Sequence, residues 1–306
     1  MHFPPINPLP ALAAMLILAT AGQAAEGGSD FNAKAAEAVK KAKATIAENG
    51  LQAGLKEYEE AAIALRAEFP NRAEPWAMLL EVAINLDFQD EKLQPKATMP
   101  GPDDAPIKVI DHVRSLLADI SKASAANATT KERARNETTR LDRIGKPMTL
   151  EFDALILDEK SGLVRNEPFS VAGHKGKVVL IHFWSTQSGP CIADLPRITK
   201  ARAGHGEDIV LAGISLDTNQ ARLRRYLKEN KIDWPQHFDG RGWDNKFAID
   251  FGVTSIPAQW LIDRNGNLRD TNGRHNLEAK LKVLTAEKIS EPEDSPPDAP
   301  ETSEGE

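Results

Sequence analysis

From Phe31 to about Ile144, apolar residues recur every three or four positions. The runs are FNAKAAEAVKKAKATIAENG, LQAGLKEYEEAAIALRAEF, EPWAMLLEVAINL, IKVIDHVRSLLADISKA and TTKERARNETTRLDRIG. That period puts the apolar positions on one face of a helix, so the region predicts a set of amphipathic helices packed on one another. Gly50, Pro70, Pro75, Pro102 and Gly145 fall between the runs, where helices stop or start. After Pro147 the texture changes to short β-type runs separated by helical segments such as Asn219 to Asn230. These runs are TLEFDALILD, KVVLIHFW, DIVLAGISLD and QWLIDRNGNL. Val178 to Trp184 is apolar throughout apart from His182, which predicts a central strand covered on both faces. Asp263 to Gly266 predicts a hairpin turn. Strands alternating with helices imply an α/β sandwich with helices on both sides of one sheet.

Length and composition agree with two globular domains: 306 residues, 41% hydrophobic and 27% charged. The formal charge of -7 comes wholly from the stretch Glu291 to Glu306, which holds seven acids and no Lys or Arg, so the rest of the chain is balanced. With no basic stripe or interleaved aromatic-basic patch, nucleic-acid binding is not expected. The stretch 289–306 is acidic, Pro-rich and nearly without apolar residues, a composition that predicts a disordered tail. At the other end, an apolar run from Leu9 to Ala21 followed by small residues reads as a signal peptide over 1–25, although its first residues carry His2 and no Lys or Arg. Export to the periplasm or outside the cell follows, with no membrane span once the signal is removed. The domains read as 26–143, helical, and 144–288, α/β. Within the first, AAIALRAEFPNRAEPWAMLLEVA resembles the junction between two tetratricopeptide repeats. Such arrays recur at about 34 residues at least three times, and one junction is found here, so a plain helical bundle and a tetratricopeptide-like unit both stand.

The chemistry concentrates in HFWSTQSGPC, His182 to Cys191, whose cysteine is the single one in the chain. Together with IGKP, GKVVLIHFW, GISLD and TSIPAQWLIDRNGNL, this segment resembles the TlpA/ResA type of thioredoxin-like domain, related to the AhpC/TSA group, over about Ile144 to Leu284. The resemblance implies a thioredoxin-like sandwich around a central mixed sheet, a role in thiol-disulfide chemistry without cofactors, and Pro257 as the family's cis-proline. That proline, with Ile256 before it, faces the site and exposes backbone for pairing with an extended substrate; Trp184, Gln187, Gly189 and Pro190 complete the candidate binding rim. In the family the first cysteine of Cys-x-x-Cys attacks a disulfide and the second resolves the intermediate. Here the attacker's place is held by Ser188 and the preceding aromatic by Gln187.

A hydroxyl cannot form or resolve a disulfide, so the two-cysteine cycle is unavailable to this chain alone. Ser188 before Gly189 and Pro190 reads as a helix N-cap, its oxygen accepting from the amide of Cys191. Cys191 matches the resolving cysteine. His182 stands where thioredoxins carry a buried acid, and two readings are open for it: a base paired with Cys191, or a neutral core histidine. The spacing of Ser188 and Cys191 also echoes the threonine and peroxide-reactive cysteine of peroxiredoxins, but the proline expected ahead of them is Trp184. No metal site is expected from the scattered histidines. The tryptophans of WPQHFDGRGWDNKFA either line the site or pack a loop. Two functions remain. One is an oxidoreductase or thiol peroxidase-like antioxidant protein of reduced or altered activity, with Cys191, Ser188 and His182 as its catalytic candidates, protein thiols as partners and an external reductant. The other is a non-catalytic module that binds extended peptides beside Pro257.

Overall fold

The computed structural model describes residues 28–86, 98–100, 106–158, 164–274 and 276–289. The expected signal peptide and nearly all of the acidic tail lie outside these. Helix α1 (Gly28–Asn49) and helix α2 (Leu51–Glu68) form a hairpin closed by Gly50, whose φ of 88° suits glycine. The two helices approach closely because α2 offers Gly54 at the contact: a Cβ there would lie 2.1 Å from Ile46 Cγ1. Helix α3 (Glu74–Asn85) opens with Pro75 in its first turn, where a missing amide hydrogen costs nothing. Arg66 of α2 stacks its guanidinium over Trp76 of α3. A short antiparallel ribbon, β1 (Thr98–Pro100) with β2 (Pro106–Lys108), leads into α4 (Val109–Lys122) and α5 (Ala128–Leu141). Asn127 caps α5 by accepting from the amide of Thr130 at 2.8 Å. Phe31 and Val39 of α1, Leu55 of α2, Leu80 of α3, Leu117 of α4 and Leu141 of α5 meet in the shared core, so each of the five helical runs in the sequence contributes to one packed unit. No described helix is long and apolar enough to cross a membrane.

The second region is a mixed sheet in the order β4-β3-β7-β6-β5-β8-β9. Its parallel centre is β5 (Val178–Trp184), β6 (Ile209–Ser215) and β7 (Gln236–Phe238). Antiparallel flanks are β3 (Glu151–Leu157) with β4 (Val164–Ser170), and β8 (Ala258–Ile262) with β9 (Leu268–Asp270). Every residue of β5 is buried, as its apolar run requires. Val178, Leu180 and Trp184 pack under α6 (Gly189–His205), α7 (Gln220–Glu229) and α9 (Leu277–Ala286). Val179, Ile181 and Phe183 face the opposite layer with α8 (Lys246–Phe251). This is a thioredoxin-like α/β sandwich preceded by a helical region, which is not helical throughout as its periodicity predicts but carries the short ribbon β1–β2.

The two regions are joined by paired backbone. Gly145 donates to the carbonyl of Leu268, Leu268 to that of Lys146, and Met148 to that of Gly266. Arg143 adds a bond to the carbonyl of Asp250 and lies over the ring of Phe251.

Candidate functional site

The site forms where β5 ends and α6 begins. Ser188 caps α6: its Oγ accepts from the amide of Cys191 at 3.4 Å, while its own amide donates to Ser185 O. Gly189 and Pro190 are exposed in the first turn, Gln187 is exposed beside them, and Ser188 is partly exposed. Cys191 is 0% exposed and packs among Trp184, Leu195 and Ile198. Burial pushes its thiol pKa up; hydrogen bonds with Ser188 and the Ser185 backbone oppose this in part, and the charges of Asp194 and Arg274 make smaller contributions, raising and lowering it respectively. The Ile256–Pro257 peptide is cis, and both residues are half-buried beside this end of the sheet.

Asp217, which no motif in the sequence singled out as functional, organises the loop before the helix. Its fully buried carboxylate accepts from Ser185 Oγ at 3.0 Å, Thr186 N at 3.0 Å, Thr186 Oγ1 at 2.6 Å and Ser215 Oγ at 2.9 Å. These bonds fix Ser185 and Thr186, and through them the approach to Ser188. The signal was present in GISLD but means nothing until β6 is laid beside β5.

Trp184 lies beneath this loop, with no exposed surface. Its Nε1 donates to Gln236 Oε1 at 2.9 Å. Gln236 can lie there because Gly213 of β6 has no side chain: a Cβ would fall 1.9 Å from Gln236 Oε1. Gly213→Ala is therefore expected to displace Gln236, orphan the indole N–H and destabilise the fold by about 1–3 kcal/mol. Chemical denaturation checks this. A loss below about 0.5 kcal/mol would mean the glutamine has another place to go.

His182 follows the alternation of β5 onto the same face as Trp184, and the two rings stack with centroids 5.9 Å apart. It is 1% exposed, and neither ring nitrogen has a hydrogen-bond partner among the described residues. Burial first, then the charges of Arg274 and Arg197, lower its pKa to about 3. Those arginines belong to a polar cluster behind α6. Asp194 accepts from Arg274 Nε at 2.7 Å and from Gln259 Nε2 at 3.0 Å, and Arg197 pairs with it at 3.5 Å. Two guanidinium groups around one carboxylate leave a positive field, which opposes protonation of His182. A neutral imidazole of such low basicity is poorly suited to take a proton from a thiol whose own pKa is raised. Among the described residues no cluster of His, Cys, Asp and Glu is arranged to hold a metal ion. In the Trp234 to Ala248 segment, Trp234 is buried in the core and Trp243 is 53% exposed.

Residues 156–286 match the Redoxin family. The sporulation thiol-disulfide oxidoreductase A of Bacillus subtilis is 26% identical over 132 residues, which span 42% of this chain and 73% of that protein. The α/β region is a thioredoxin-like domain of the TlpA/ResA family. The thiol:disulfide interchange protein DsbE of Pseudomonas aeruginosa is 28% identical over 126 residues, 41% of this chain and 64% of that one. Among solved structures, the pneumococcal exposed lipoprotein thioredoxin of Streptococcus pneumoniae is 24% identical with a TM-score of 0.35, covering 44% of this chain and 98% of its own. Within this TlpA/ResA domain, Ser188 and Cys191 stand at the head of α6. The family match begins after α5, so it leaves the helical region outside.

Proposed function

We propose that this chain is an exported relative of the thiol-disulfide oxidoreductases that has kept their substrate groove and given up their two-cysteine turnover. In this reading it holds extended segments of other proteins, cysteine-bearing ones included, beside Pro257. Residues 1–25 act as the signal peptide, 26–143 form a helical arm for partners, and 144–288 carry the groove. The observation that carries the reading is Cys191, which is 0% exposed and has its thiol pKa raised by burial, below a serine that serves as a helix cap. A nucleophilic thiol needs the opposite environment, exposed and electropositive.

Alkylation of native Cys191 at pH 8 should be at least about 1,000-fold slower than in the unfolded chain, since the reagent must wait for a local opening. Fluorescently labelled α-lactalbumin, reduced and then capped on its cysteines as mixed disulfides with thionitrobenzoate, should bind wild type and Cys191→Ala equally, with no thionitrobenzoate released by Cys191 and no fraction that only dithiothreitol frees. Rapid native alkylation with an apparent pKa below the ordinary thiol range, or reductant-sensitive capture lost in Cys191→Ala, would replace this reading with a reactive one-cysteine site.

A further inference from the structure

Where the helical region meets the thioredoxin-like domain, a cavity of about 300 Å³ opens on the sheet face opposite Cys191. Arg133, Glu137 and Arg140 of α5 line one wall, Thr254 and Ser255 another, and Trp260 of β8 a third. Ile84, Val253 and Ala258 supply apolar surface between them. Its size is at the lower end for small-molecule sites.

Two donors in this lining lack partners. Trp260 is 0% exposed and its indole Nε1 has no acceptor among the described residues; the same holds for Arg140 Nε. Both groups can only donate, and buried donors without an acceptor are uncommon enough to mark a binding position. The charges on the lining residues are two guanidinium groups and one carboxylate. Arg140 is engaged with Glu137 through Nη2, and Arg133 with Glu81 at 3.0 Å, which leaves Arg140 Nε turned to other use. With each guanidinium matched by a carboxylate the wall is near neutral, and what it offers a ligand is unpartnered donors and hydroxyl groups that accept or donate, around an apolar patch.

We propose that this cavity binds a small organic carboxylate, its charged oxygens accepting from Trp260 Nε1 and Arg140 Nε and its apolar body lying against Ile84, Val253 and Ala258. Thr254 and Ser255 are the residues immediately before Ile256 and Pro257, so the ligand would touch the helical arm and the base of the groove loop together. The site is separate from the cysteine and independent of whether it reacts.

Sodium benzoate is a suitable probe, with benzamide as the neutral molecule of matching shape. The protein has five tryptophans, and their indole N–H signals in a nitrogen-proton correlation spectrum of the full chain report on the site directly. Benzoate should shift the Trp260 signal saturably, benzamide should not, and Arg140→Gln should weaken benzoate binding at least about tenfold while leaving the other indole signals in place. Trp260→Phe assigns the signal, and backbone assignment replaces it if that variant does not fold. Absence of a saturable shift, an equal response to benzamide, or full affinity in Arg140→Gln would each overturn the assignment.

Discussion

Ser188→Cys is expected to raise insulin disulfide reduction at least about 100-fold over the wild-type chain. Ser188 holds the N-cap of α6, partly exposed, with the Cys191 amide aimed at its side chain. A thiol placed there meets the field of the helix N-terminus, where cysteines of Cys-x-x-Cys motifs reach a pKa of about 7, so that about half is thiolate at neutral pH. In wild type the only thiol is fully buried and held protonated. The variant also puts a second thiol in the same first turn, which lets Cys191 resolve the mixed disulfide, releasing the insulin thiols and leaving an internal disulfide that dithiothreitol in the assay reduces for the next cycle. Adding Cys191→Ala to this variant should keep the attack and stop the cycle, so that mixed disulfides accumulate and are seen by mass. A folded Ser188→Cys protein that neither forms its internal disulfide nor reduces insulin would mean that the groove itself has diverged, and the proposed substrate binding would fall with it.

The second large effect concerns pH. In the unfolded chain His182 titrates near 6.5; in the folded protein its pKa is about 3. Below 6.5 the unfolded state therefore takes up a proton that the native state refuses, and stability falls as pH drops until about 3. Over that window the loss is about 5 kcal/mol, near 1.4 kcal/mol for each unit. His182→Leu removes the titration and places an aliphatic side chain among Leu180, Trp184 and their neighbours. Near neutral pH the variant should lie within about 1.5 kcal/mol of wild type. Between pH 6.5 and 5, above most carboxylate titrations, wild type should lose about 2 kcal/mol more than the variant. Parallel urea titrations at several pH values measure this difference. Equal pH slopes would show that the native imidazole does take up a proton.

What the sequence conveys here is local. The run of β5, apolar but for His182, the cap at Ser188 and the turn after β8 are each written in a few adjacent residues, and the structure has them in those places. Strand β4 was hidden because VRNEPFS is an edge strand with no apolar alternation, and β7 because it is three residues long. The supports of the site were hidden for another reason. Asp217 gains meaning from Ser185 and Thr186, Gln236 from Trp184 and Gly213, and Arg274 from Asp194. Each pairing joins distant parts of the chain, and a polar residue at the end of a strand gives no sign of which partner it will find. Position along the strand leaves His182 open to two readings, a base for Cys191 or a neutral core histidine, and what decides its low basicity, burial and then the Arg274 and Arg197 charges, comes from elements the strand does not include.

The backbone pairing of Gly145, Lys146 and Met148 with Gly266 and Leu268 gives the connector a protective duty. Strand β9 ends the sheet, and a bare end strand invites another molecule to add to it. The connector occupies that margin, while the far margin at β4 carries Arg165, Glu167 and Pro168, residues that discourage addition. A fragment trimmed to begin after Met148 would keep every strand of the sandwich and lose the guard on one side. Its weakness would appear as self-association at high concentration, even with the site around Ser188 intact.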